Sequence, residues 1–149
     1  MTGRATQNPT TVLAGALKPV NSRHFPSITD PRQVGALLRA IDDYKGSTVT
    51  RCALQLAARL FVRPGELRHP EWSEFDCHQN EWRIPASKMK MRSPHIVPLS
   101  KQSMESILEL QAITGAGRYL FPSIRSGKRP MSENTVNECC DVLDTPQKK

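Results

Sequence analysis

The hydrophobic period of this chain changes twice, and that limits the folds open to it. From Asp30, Val34, Leu37, Leu38 and Ile41 recur at helical spacing, and Val49, Ala53, Leu56 and Leu60 repeat the pattern after Gly46. From residue 71 the pattern shortens to "EWSEFD", "EWRIPA" and "HIVPLS", three brief runs rich in aromatic or β-branched residues. Turn-forming "CHQN" and "KMKMRSP" separate them. Helical spacing returns after Ser100 with Met104, Ile107, Leu108 and Ile113. Helices, a small sheet and helices again predict an α+β domain, mainly helical, with a three-stranded antiparallel sheet.

Local signals set the expected boundaries. Asp30 can cap the first helix, Pro31 suits its first position, and Gly46 ends it. The second helix is expected from Ser47 through Phe61, and a short third one after Pro64 and Gly65 to about Arg68. "TGAGRYLFPSIRSGKRP", residues 114–130, reads as loop, and Ser132 opens a last helix. Residues 1–26 are polar, hold Pro9, Pro19 and Pro26, and read as a linker. Residues 27–140 form the expected domain, and 141–149 a disordered or unrelated tail. No run of apolar residues is long enough to cross a membrane, and "MTGRATQNPTTV" lacks the apolar stretch of a secretory signal. A cytoplasmic protein with no membrane partner is expected. Of the four cysteines, Cys52 reads as core, and none has metal-ligand spacing with a histidine, so no metal site is expected.

Charge points toward nucleic acid. The net charge is +7 and the isoelectric point about 9.6. Between Trp82 and Met104 lie Arg83, Lys88, Lys90, Arg92 and Lys101 without an acid. Between Leu110 and Ser132 lie Arg118, Arg125, Lys128 and Arg129, again without one. Such segments either line a phosphate backbone or form solvated loops.

Two residues stand out chemically. Arg63 follows the apolar end of the second helix, with Glu66 three residues on. An unpaired charge there is costly, so the two form either an internal ion pair or a guanidinium fork steadied from behind and offered to phosphate. Lys90 stands at the expected hairpin tip, where a lysine either confers solubility or donates a proton to a leaving oxygen. The histidines (His24, His69, His78, His95) show no triad spacing, and Trp72 and Trp82 read as packing residues.

Together, "LFVRPGELRHPEWSEFD", "WRIPASKMKMRSPHIVPLS", "YLFPS" and "MSENTVN" closely resemble the catalytic domain of tyrosine recombinases, best the integrases of phages and genomic islands. The resemblance covers roughly residues 24–138, and "NPTTVLAGALKP" resembles the end of the preceding core-binding domain. It implies strand cleavage through a 3′-phosphotyrosyl bond, rejoining to a different strand, and double-stranded DNA as partner. It implies no metal or nucleotide cofactor. Arg63 matches the first catalytic arginine, Glu66 the supporting acid, and Lys90 the lysine that protonates the departing 5′-oxygen. Lys88 takes that role if the register differs by two. Lys88, Arg92, Arg83 and Arg68 are the expected DNA contacts.

The chain also departs from the family pattern. The later H-x-x-R motif, a further His or Trp, and the nucleophilic tyrosine have no counterpart, since Tyr44 and Tyr119 match neither position nor context. The expectation is a truncated integrase that keeps phosphate-binding residues and is inactive alone. The alternatives are a non-enzymatic module that binds DNA, modulates a full-length integrase or self-associates, and a folded relic of a decayed prophage gene.

Overall fold

The computed structural model describes residues 27–144, with side chains described to residue 139. The expected linker over residues 1–26, and residues 145–149 of the expected tail, lie outside the described residues.

Among the described residues, five helices form close to where period and caps place them. Asp30 caps α1 (Pro31–Asp42), its carboxylate accepting from the Arg32 amide at 3.0 Å. Ser47 caps α2 (Thr48–Arg59) by accepting from the Thr50 amide at 3.1 Å. α3 (Pro64–Arg68) begins with its proline, and Ser100 caps α4 (Lys101–Thr114) by accepting from the Ser103 amide at 3.2 Å. α5 (Asn134–Asp144) runs past the boundary expected at residue 140. α1 and α2 stop short of Gly46 and Phe61.

β1 (Phe75–Asp76), β2 (Glu81–Ile84) and β3 (His95–Pro98) form an antiparallel meander. Phe75 pairs with Trp82, Trp82 with Val97, and Ile84 with His95. Because side chains alternate along a strand, Trp82, Ile84 and Val97 share the inward face. They meet Cys52, Ala53 and Leu56 of α2, Leu67 of α3, and Ile107 and Leu110 of α4 in one core. Each fully buried aliphatic side chain there contributes about 1.5–3 kcal/mol. α2 is the hub, packing on α1, α3, α4 and α5. The Phe75 and Trp82 rings stack at 5.5 Å, which carries the core out to the sheet edge.

The α+β class and the three-stranded sheet are as expected; three details are not. Trp72–Glu74, expected as strand, form a 3₁₀ turn, and only Phe75–Asp76 enter the sheet. Side chains drive this departure: the Trp72 indole donates to the Thr114 carbonyl at 3.0 Å, and Glu74 accepts from the Trp82 indole at 3.0 Å. Residues 122–130, expected as loop, form a second antiparallel hairpin, β4 (Pro122–Ser123) and β5 (Ser126–Pro130). The apolar stripe of α1 is only partly covered: Ile41 is buried and Leu37 half-buried, but Val34 and Leu38 remain 38% and 41% exposed.

Candidate phosphate-binding site

α3 is short, and its first turn is held by Glu66. The Glu66 carboxylate accepts from the Arg63 backbone amide at 2.9 Å and from Arg63 Nη1 at 3.1 Å. One side chain therefore fixes both the turn and the guanidinium. The burial is lopsided: the Glu66 side chain is 10% exposed and that of Arg63 62%. The carboxylate stands behind, and the remaining guanidinium N–H donors face outward, a geometry suited to a tetrahedral oxyanion. The internal ion pair posed by the spacing is therefore present, and it leaves the guanidinium exposed.

In front of Arg63 lies an open cavity of about 440 Å³, lined by Phe61, Val62, Arg63, Glu66, Met89 and His95. Met89 arrives from the β2–β3 connection and His95 from the start of β3. Lys90 follows Met89, is exposed, and has no ion-pair partner among the described residues. Arg92, likewise exposed and without an ion-pair partner there, has φ of 52°, a left-handed conformation that costs a non-glycine residue about 1–2 kcal/mol. The connection thus keeps an arginine at a strained tip.

Lys88 is placed differently. Its ammonium donates to the His69 carbonyl at 3.0 Å, to Glu71 Oε1 at 2.8 Å, and to Glu74. Burial alone would pull its pKa down, but the hydrogen bonds to Glu71 and Glu74 hold it above the ordinary lysine value. Arg118 completes the cluster with a two-pronged contact to Glu71 at 2.9 and 3.0 Å, its guanidinium 5.3 Å from the Tyr119 ring centre. Arg118 first, and Lys88 second, pull the Glu71 carboxyl down to about 2. To reach a phosphate, Lys88 must leave these partners. Lys90 need leave none.

The other expected contacts are also engaged. Arg83 lies across Glu81 at 2.9 Å and Asp76 at 3.7 Å. Arg68 donates to the Met131 carbonyl at 3.3 Å, tying the end of α3 to the segment after β5. Neither tyrosine lines the cavity: Tyr119 packs under Arg118, and the Tyr44 hydroxyl lies 3.3 Å from the Cys139 thiol. His95 is the residue that sequence reasoning passed over. The alternation of His95, Val97 and Leu99 puts it on the inward face, but at the end of the sheet, where that face opens onto Arg63.

Comparisons with known proteins bear on the family and the fold. A family model described as "Phage integrase family" matches residues 27–144. The integrase of Enterobacteria phage P4 is 40% identical over 148 residues, covering 91% of this chain and 34% of that protein. The putative protein IntB of Escherichia coli K12 is 34% identical over 148 residues, covering 91% of this chain and 37% of its own length. The chain thus spans about a third of the length of these relatives. A crystal structure of XerA recombinase superposes with a TM-score of 0.64 at 18% identity, over 85% of this chain and 46% of that one, a likeness of fold.

Proposed function

This chain belongs to the phage integrase family, and from that premise we propose that it supplies the phosphate-gripping half of a site for DNA strand exchange. In this reading Arg63 holds the non-bridging oxygens of the scissile phosphate, and Glu66 keeps the guanidinium aimed so that little orientation is lost on binding. Lys90 reaches the departing 5′-oxygen from the β2–β3 tip and protonates it. Arg92 adds a backbone contact beside it. The observation that carries the reading is the Arg63–Glu66 pair, a mostly covered carboxylate behind an outward guanidinium.

Attack on phosphorus requires a nucleophile, and neither tyrosine among the described residues opens onto the cavity. The chain therefore holds DNA without cutting it. Incubation with a nicked suicide duplex, followed by a denaturing gel, tests this. No covalent protein–DNA adduct is expected, and an adduct would show that one of these tyrosines reaches the phosphate. Pairing with a longer integrase, or with a second copy, belongs to the same proposal as a source of the nucleophile. Adding full-length integrase to the incubation would reveal it as a changed adduct yield.

A further inference from the structure

The positive charge of this chain is unevenly available. Arg83, Lys88 and Arg118 are each paired with carboxylates, and Arg68 is bonded to a carbonyl. The β4–β5 hairpin differs. Arg125, Lys128 and Arg129 are exposed, have no ion-pair partner among the described residues, and have no acid between Leu110 and Ser132 to offset them. Ile124 at its turn is 92% exposed.

We infer that this hairpin is a second contact for the duplex, one that grips phosphates flanking the one held by Arg63. The inference rests on the reading of Arg63 as a phosphate ligand and adds a surface to it. Three observations favour it. The ribbon is only two strands wide, and Lys128 and Arg129, being adjacent on β5, point to opposite faces, so the ribbon presents cations on both sides. A two-stranded ribbon of this kind fits the major groove with phosphate rows on either side. Its base is also anchored to the site: the Met131 amide donates to the Phe121 carbonyl at 2.8 Å, and the Met131 carbonyl accepts from Arg68 at the far end of α3. α3 is about 7.5 Å long at 1.5 Å per residue, so the base of the hairpin stands a few base-pair steps from Arg63, each about 3.4 Å along the duplex. Finally, the surface suits DNA better than a protein. A protein partner needs a contiguous apolar patch at the centre of its interface, and here Ile124 is the single large apolar side chain among exposed cations.

The test is fluorescence anisotropy of a labelled generic duplex across a salt series, using the full chain. The variants are an Arg125/Lys128/Arg129 triple alanine and an Arg63→Ala/Lys90→Ala pair. An Arg32/Arg39/Lys45 triple alanine on and after α1 removes the same charge from elsewhere. Circular dichroism and thermal midpoints establish that each is folded. The hairpin triple is expected to flatten the slope of log K against log salt by about 2–3, at roughly 0.9 for each phosphate no longer neutralised, while the α1 triple leaves it in place. Equal flattening by both triples would mean only bulk charge matters and would overturn the inference. An unchanged slope in the hairpin triple, with flattening in the Arg63/Lys90 pair, would overturn the hairpin contact and leave the site standing. Absence of wild-type binding at low salt would remove both.

Discussion

Lys88 and Lys90 lie two residues apart and match the same expected role, yet the structure gives them opposite fates, and exchanging each for alanine separates them. Lys88→Ala leaves Glu74, whose side chain is 8% exposed, with the Trp82 indole as its remaining close side-chain donor. Removing one member of a buried ion pair costs about 3–5 kcal/mol. Lys88 is 28% exposed, and Glu71 keeps Arg118, so about 2–3 kcal/mol is expected here. At roughly 2–4 °C per kcal/mol for a chain of this size, the thermal midpoint falls by roughly 5–10 °C. Lys90→Ala breaks no ion pair, so its midpoint stays with wild type, but its DNA salt slope flattens by about 0.9. Pairing Lys88→Met with Glu74→Gln removes both charges together. It recovers stability relative to Lys88→Met, with a coupling of about 1 kcal/mol or more. The assays are thermal melts by circular dichroism and anisotropy titrations. A Lys88→Ala protein that melts with wild type but binds DNA with a flattened slope would refute the reasoning. Lys88 would then be the phosphate ligand and its carboxylate cluster dispensable.

The same cluster makes stability depend on acid. Glu71 is held at about 2, below its ordinary value of 4.5, so its contribution is fully present above pH 4.5 and is lost as pH falls toward 2. The wild-type midpoint should drop across that window, and in Arg118→Ala the drop should shrink; identical pH profiles would contradict the assignment. Arg92→Gly relieves the left-handed backbone and should raise stability by about 1 kcal/mol in urea melts while weakening DNA binding. A gain in both would show that the arginine serves neither. Burial first, then the Glu109 charge, pushes the Cys52 thiol up to about 11, so iodoacetamide at pH 8 should label exposed Cys77 and spare Cys52 until the chain unfolds, as read by mass spectrometry.

Much of this was legible in the sequence because it rested on local signals. Asp30, Ser47 and Ser100 cap helices by their own side chains, and the inward residues of β2 and β3 follow the two-residue period. The Arg63–Glu66 pair needed only a three-residue spacing. What escaped depends on contacts between distant segments. "EWSEFD" has strand composition, but Glu71 and Glu74 are drawn to Lys88 and Arg118, and the backbone bends into a 3₁₀ turn to let them. Helical periodicity marked the stripe of α1 but could not say that Val34 and Leu38 would stay partly exposed. Charge counting marked Arg83 and Lys88 as basic residues of an acid-free run but could not show that acids outside that run pair with them. His95 was visible in the alternation, and only the position of α3 shows what it faces.

The central claim is that Arg63 holds a DNA phosphate with Glu66 fixing its aim. The direct measurement is the salt dependence of duplex binding for wild type, Arg63→Ala and Arg63→Lys, each shown to be folded. The expectation is that Arg63→Ala weakens binding and flattens the slope by about 0.9. Arg63→Lys should keep the slope and still bind more weakly, because an ammonium cannot reproduce the guanidinium fork. If all three proteins bind alike, Arg63 touches no phosphate, and the pair with Glu66 does no more than hold the turn.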